Sequence, residues 1–478
     1  MYDVISLLWI QIIKERLQSV VSLEKGTTDL TWLKAALALF AICDEACEGL
    51  GYVDGNWIDF AFQRSQSRPK AEIIDKNHPS HLRSTAKDGS MCVLADENVV
   101  CVMPKSRTPM VGCTLRTLSH NLALLPPPYK ASAFWYRPPL KLEKNTKPLN
   151  ILLVPFPYQI DARDFSAIEV EGSYAPEFDR WGEFELHQSW LQKAKVPTLV
   201  EELLEIGLTK GTTVEGIVFP EFSLDWRTYS ELVESLRKPE HKNVKFLVAG
   251  SSEDGTDGDV KKGNFVLTTM FYDEPTGGER VAVTSARGKH HRWRLNGAQV
   301  ESYCLDNVLD ANTFWWENID LTERRISSTV FRESSVFTTL ICEDLARSEP
   351  VHSVLQSIGP NLVFVLLMDG PQLKDRWAAR NATGLAEDPG SSILTFTCRA
   401  LLQRQSERVD GYPPNYTIAL WKDDTQRIRE IKCEPDIDAV IVTLSAARAK
   451  ETTLDGRANS DAWAWRMSGY VQVKRKIT

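Results

Sequence analysis

The segment Ser335-Val336-Phe337-Thr338-Thr339-Leu340-Ile341-Cys342-Glu343-Asp344-Leu345-Ala346-Arg347 changes character at its cysteine. Before Cys342 lies a run of β-branched and aromatic residues, the composition of a buried strand. After it two carboxylates open a stretch with helical spacing, as acidic residues do at a helix N-terminus. Cys342 therefore falls on a strand-to-helix turn, where the helix dipole favours a thiolate. The backbone N–H of Glu343 would point into the same space and could join an oxyanion hole. Glu343 and Asp344 oppose thiolate formation unless a cation compensates, and a buried structural cysteine has the same composition.

Two other strand exits carry chemistry. In Gly216-Ile217-Val218-Phe219-Pro220-Glu221-Phe222-Ser223 a carboxylate follows an apolar strand directly, at the sheet edge where α/β proteins place their sites. Burial there would raise the pKa of Glu221 and make it a usable general base; the plainer alternative is a cap for a helix starting near Ser223. In residues 280–295, Lys289 is the sole lysine, among Arg287, Arg292 and Arg294. An ammonium leaving a strand can face an oxyanion formed during acyl transfer. Taken alone, a solvated basic loop describes that segment as well, but Lys289 is also the cation that Cys342 would need.

Around these segments the chain has a regular rhythm. From about Pro148, apolar runs predict strands at 150–154, 214–219, 244–249, 264–271, 281–285, 328–331, 335–341, 361–367, 392–397, 416–421 and 439–444. Helical spacing falls between them at 184–206, 227–237, 345–357 and 373–386. Strands and helices that alternate, with hairpin-like strands in the middle, predict a layered α/β sandwich. Residues 1–147 differ: helical periodicity opens them, a Pro/Ser/His/Lys-rich stretch follows at 63–87, and 92–103 alternates like a hairpin. A Pro/Lys-rich segment at 136–148 marks a boundary. The expected organisation is a mainly helical N-terminal accessory domain (1–147), the α/β domain (148–446) and a C-terminal arm (447–478) bearing Trp463 and Trp465.

The 478 residues are 43% hydrophobic, 25% charged and 9% aromatic, which excludes wholesale disorder and fibrous repeats. With 56 basic and 64 acidic residues the net charge is −8, a poor balance for coating nucleic acid. No apolar run is long enough to cross a bilayer, and residues 4–13 lack the flanks of a signal peptide. Nine scattered cysteines fit a reducing compartment, so a cytoplasmic location is expected. Cys43 and Cys47, four apart on a predicted helix, and the unpaired spacing of Cys92, Cys101 and Cys113 make a poor zinc site.

Together the three strand exits resemble the motifs of the nitrilase, or carbon–nitrogen hydrolase, superfamily. The resemblance covers residues 149–444. Phe219-Pro220-Glu221 is similar to its glutamate motif, Lys289-His290-His291 to its lysine motif, and Leu340-Ile341-Cys342-Glu343-Asp344 to its nucleophile motif. The last also looks like the glutaminase domain of NAD synthetase. The resemblance implies an αββα sandwich and an amidase- or nitrilase-type hydrolase that cleaves a non-peptide C–N bond of a small amide or nitrile through a thioester. In it Glu221 is the base, Cys342 the nucleophile, and Lys289 with the Glu343 N–H the oxyanion holder. Glu301 is the nearest match to a second family glutamate, with Glu317 and Glu323 in the same interval. No metal or cofactor is required, and a homodimer or larger assembly is expected.

Three departures stand against the family pattern. The Lys289–Cys342 interval is long and contains Thr313-Phe314-Trp315-Trp316-Glu317, an insertion able to cover the pocket. No aromatic residue precedes Asp344, and Asp369-Gly370-Pro371 replaces the usual Asn-Pro. They leave open a second class of function: a nitrilase-fold recognition or assembly module with little hydrolysis. Nitrilase-like domains joined to other modules, including in bacterial defence, imply that alternative. Serine–histidine chemistry is disfavoured, because no Gly-x-Ser-x-Gly string exists and a cation-rich loop is a poor home for a general base; as metal ligands, His290 and His291 would point to opposite faces of a strand.

Overall fold

The computed structural model describes residues 2–16, 31–46, 82–84, 132–136, 142–168, 181–273, 280–322, 324–333, 335–407, 414–452 and 458–475. The expected hairpin at 92–103, Cys92, Cys101, Cys113, Cys47 and Glu323 lie outside these residues.

Two large sheets form the described fold. One runs β1 (Leu82–Ser84), β2 (Ser132–Tyr136), β12 (Arg325–Arg332), β13 (Ser335–Ile341), β14 (Leu362–Leu367), β15 (Ser392–Thr397), β16 (Thr417–Lys422), β17 (Ile428–Lys432). The other runs β19 (Ala458–Val473), β18 (Ala439–Thr452), β3 (Leu149–Leu153), β6 (Gly216–Val218), β7 (Phe246–Asp254), β8 (Lys261–Tyr272), β9 (Val281–Gly288). The neighbours β13, β14 and β15 are parallel, as are β3, β6 and β7. Their carboxyl ends consequently gather at one edge of each sheet.

Side-chain alternation sets the layers. Phe246 of β7 lies 5.1 Å from Phe337 of β13 and 6.1 Å from Phe364 of β14, so these rings meet between the sheets. The intervening residues face outward: Leu152, Ile217 and Leu247 pack with Leu199 and Leu203 of α3 (Val196–Thr209) and Leu232 and Leu236 of α4 (Trp226–Leu236). On the other side α6 (Glu343–Ala346), α7 (Ser353–Ile358) and α8 (Trp377–Glu387) bring Leu345, Leu355, Ala382 and Leu385 into the core of the β13–β15 sheet. The result is a helix–sheet–sheet–helix layering.

Strand pairing runs across both expected boundaries. β2, from the stretch assigned to an accessory domain, pairs in parallel with β12. The remaining described helices of that stretch are α1 (Tyr2–Arg16) and α2 (Thr31–Ala46), which lie against each other. The expected C-terminal arm is a sheet strand: β19 pairs along its length with β18, and its Trp465 is fully buried between the sheets with the indole donating to Ser335 at 3.0 Å. Arg332, 1% exposed, stacks on Trp465 and gives both oxygens of Glu215 a hydrogen bond of 2.6 Å. That ion pair ties the two sheets together at the end away from the strand exits.

A third sheet, β10 (Arg294–Leu295), β11 (Phe314–Glu317), β5 (Trp181–Leu186), β4 (Phe165–Ile168), roofs the strand exits. It joins two segments far apart in sequence, since β11 runs parallel to β5. Phe165, Phe184, Trp293 and Trp315 beneath it pack on Phe222, Met368 and Cys398, each just past the end of a strand. Residues 184–186, where a long helix was expected to begin, belong to β5 of this roof; α3 starts only at Val196.

Candidate active site

Under the roof, three strand exits converge. Glu221 follows β6 across Phe219 and Pro220, and its backbone passes close to β7. A Cβ on Gly250 would stand 2.5 Å from Glu221 Cα, so only glycine permits that approach. Lys289 follows β9, and its backbone N–H donates to the Asn264 carbonyl of β8 at 2.8 Å. Glu317 ends β11.

These side chains form a closed cluster. Lys289 Nζ donates to Glu221 Oε1 at 2.8 Å and to Glu317 Oε2 at 2.7 Å. Glu221 Oε2 accepts the backbone N–H of Met368 at 2.7 Å, and Glu317 Oε2 that of Trp293 at 2.8 Å. Lys289 and Glu221 are at most 1% exposed and Glu317 3%. Burial pushes the Glu221 carboxyl above its ordinary value although Lys289 pulls the other way. For Lys289 burial alone would lower the ammonium, but Glu221 and Glu317 outweigh it and hold it well above its ordinary value.

Cys342 is the turn residue between β13 and α6. Its φ of 40° lies in the left-handed region that favours glycine, and Phe222, beside Glu221, has φ 55°. Each costs roughly 1–3 kcal/mol, and such outliers gather at working sites. The Cys342 N–H donates to the Leu366 carbonyl at 2.9 Å, fixing the turn against β14. The thiol interacts electrostatically with Glu221, Lys289, Glu343 and Asp369. The expectation of a resting thiolate is corrected: burial first, then the Glu221 charge, pushes the thiol well above its ordinary value. The α6 helix behind it has four residues, too short for its dipole to compensate.

The second glutamate is also corrected. Glu301 is exposed on α5 (Gly297–Ser302), whereas the glutamate on Lys289 is Glu317. After Lys289 the chain first builds β10 and α5, and only the return strand β11 brings a carboxylate back. Thr313–Glu317, expected to cover the pocket, supplies both the roof and this contact.

Two flanking networks hold the cluster. Asp344, fully buried, accepts Arg287 Nη1 and the His290 N–H, both at 2.9 Å, which locks the Cys342 turn to the lysine strand. Although burial raises it, His290 and Arg287 bring the Asp344 carboxyl below its ordinary value. Asp369 accepts Tyr303 Oη at 2.7 Å, Arg376 Nη2 at 2.9 Å and Trp377 Nε1 at 3.0 Å. The departure from Asn-Pro thus buries a carboxylate with its own cation.

His290 Nε2 lies 2.9 Å from the Arg325 carbonyl, and burial lowers the ring to about 4. A depressed folded pKa means full stability above the unfolded value near 6.5, lost as pH falls towards about 4. The loss over that window should reach roughly 3 kcal/mol. Urea unfolding between pH 7 and 4 should therefore show a steeper fall for the wild type than for His290→Gln; equal slopes would exclude this residue.

A polar cleft of about 1020 Å³, walled in part by Gln188, Asp225, Glu253 and Gly263, reaches Phe222 and Glu317. Cys342 is not part of its wall. Among the described residues no three His, Cys, Asp or Glu side chains group as metal ligands. No helix among them is long and apolar enough to cross a membrane.

No family model and no curated protein matches the sequence. Among solved structures the chain is similar to Saccharomyces cerevisiae Nit3, a member of branch 10 of the nitrilase superfamily, at 10% identity and TM-score 0.32, covering 70% of this chain and 93% of that one. It is also similar to XC1258 from Xanthomonas campestris, a CN-hydrolase superfamily protein with an arsenic adduct in the active site, at 12% identity and TM-score 0.33, covering 62% and 90%.

Proposed function

We propose that the protein hydrolyses a non-peptide C–N bond of a small amide or nitrile through a thioester on Cys342. The observation that carries this reading is the fully buried Lys289 ammonium, held between Glu221 and Glu317 within electrostatic reach of a cysteine on a strained turn. Buried ion clusters are poor stabilising devices, because desolvation takes several kcal/mol per ion. Their occurrence beside a nucleophile in a roofed site points to chemistry.

In the proposed cycle Glu221 accepts the thiol proton as sulfur attacks the carbonyl or nitrile carbon. Because burial holds the thiol well above its ordinary value, proton transfer accompanies attack rather than preceding it. Lys289 and the Glu343 N–H hold the charge that develops on oxygen or nitrogen. The C–N bond breaks, the proton held by Glu221 goes to the departing nitrogen, and a nitrile first takes up water to reach the same thioester. Water deprotonated by Glu221 then cleaves the thioester and frees the acid and the thiol. Glu317 keeps Lys289 charged and aimed. The cycle uses no metal or organic cofactor.

The 3% exposure of Cys342 favours a second reading, a recognition or assembly module that needs no access to the thiol. Mass spectrometry separates the two. Across a panel of small amides and nitriles, hydrolysis predicts an acyl adduct on Cys342 that hydroxylamine removes. No adduct with any compound, together with Cys342 alkylation no faster than that of buried Cys398, would overturn the hydrolytic reading.

A further inference from the structure

We propose that Asn264, at the start of β8, is a positioning residue that sets the protonation of Glu221; the proposal rests on Glu221 being the base. Asn264 is 2% exposed, and its Nδ2 donates to Glu221 Oε1 at 2.8 Å and to Glu317 Oε1 at 2.6 Å. Both hydrogens of one amide are thus spent on two different carboxylates. The orientation is dictated by charge, since the reversed amide would set Oδ1 against two carboxylate oxygens. Its consequence is visible: Oδ1 is a buried acceptor without a partner in the structure. A side chain serving packing alone would not leave an acceptor unpaired to place both N–H groups on the anions.

The groups facing Glu221 are Lys289, Glu317, Asn264, the Met368 N–H and the Cys342 and Cys398 thiols. Lys289 and Asn264 share Oε1, so the amide supplies a donor that stabilises the ionised form. It also bridges to Glu317 and holds the like-charged carboxylates apart at a fixed spacing. Without it the Glu221 anion loses that donor, and the base becomes protonated at a higher pH.

The rate of Cys342 alkylation by iodoacetamide, followed across pH in the full chain, tests this. The wild type should show a rise governed by Glu221, and Asn264→Leu should move that limb upward by about one pH unit. Should the leucine variant not fold, Asn264→Ser carries the test, because one hydroxyl serves only one carboxylate and the limb still moves upward. Glu221→Gln is the separating control. If it leaves the limb in place, Glu221 is not the base and the underlying reading fails. If it removes the limb while the Asn264 variants merely melt lower with the limb unmoved, Asn264 is structural and the positioning proposal alone is overturned.

Discussion

Cys342→Ala should abolish ammonia release from whichever amide or nitrile the wild type turns over, by about 10⁴-fold or more, because no other group in the cluster can form the thioester. The fold should survive. Cys342 sits among the aliphatic residues of α6–α8 and β13–β15, and exchanging its sulfur for hydrogen leaves a small void, worth about 1 kcal/mol. The backbone offers an internal check. At φ 40° any side chain is strained, so Cys342→Gly should melt no lower than Cys342→Ala while remaining as inactive. Ammonia assays and thermal melts on both variants decide the matter. Retained turnover in the alanine variant would remove the covalent route, and a glycine variant melting far below it would remove the strained turn.

Lys289→Met should be the most damaging single change to stability. It leaves Glu221 and Glu317 buried without their shared cation, and breaking a buried pair typically costs about 3–5 kcal/mol. The deficit should depend on pH in a defined sense. In the wild type the folded Lys289 pKa lies above its unfolded value, so its stabilising contribution is constant through neutral pH and is lost only as pH rises past the lysine range. In the variant two carboxylates share a site, and one is forced to keep its proton. A raised folded carboxyl pKa favours folding below the unfolded value near 4.3 and penalises it as pH rises. Urea midpoints of the two proteins should therefore lie closer at pH 5 than at pH 8. A gap that stays constant with pH would mean that the lysine stabilises by packing alone. Cys342 alkylation at neutral pH should slow in the same variant, since Glu221 would no longer be a free base.

Much of this is legible in the sequence alone. Strong apolar runs such as 335–341 and 392–397 became strands at those limits, because buried parallel strands carry their signal in composition. Glu221, Lys289 and Cys342 were visible as polar residues ending such runs. Glu317 bears the same signature, a carboxylate closing Phe314-Trp315-Trp316, but the run is short and its sheet pairs with strands over a hundred residues away. Proximity in sequence favoured Glu301, and sequence distance was the wrong measure. The thiol failed differently. Helix-dipole logic assumes a helix of some length, and the break after Ala346 was not legible in 345–357. In β19, Trp463, Trp465 and Met467 alternate as in a half-buried strand, yet the interspersed polar residues read as an arm. Asn264 was unreadable, since nothing local shows that its amide will meet two anions from elsewhere.

Glu317 belongs at once to the canopy strand β11 and to the grip on Lys289. The canopy cannot swing aside like a hinged door, because lifting β11 would strip a buried ammonium of half its counter-charge. On the hydrolytic reading, a molecule bound for the thiol would then have to enter beside the canopy rather than under a lifted one, and the width left there, not a closing motion, would decide which molecules are admitted.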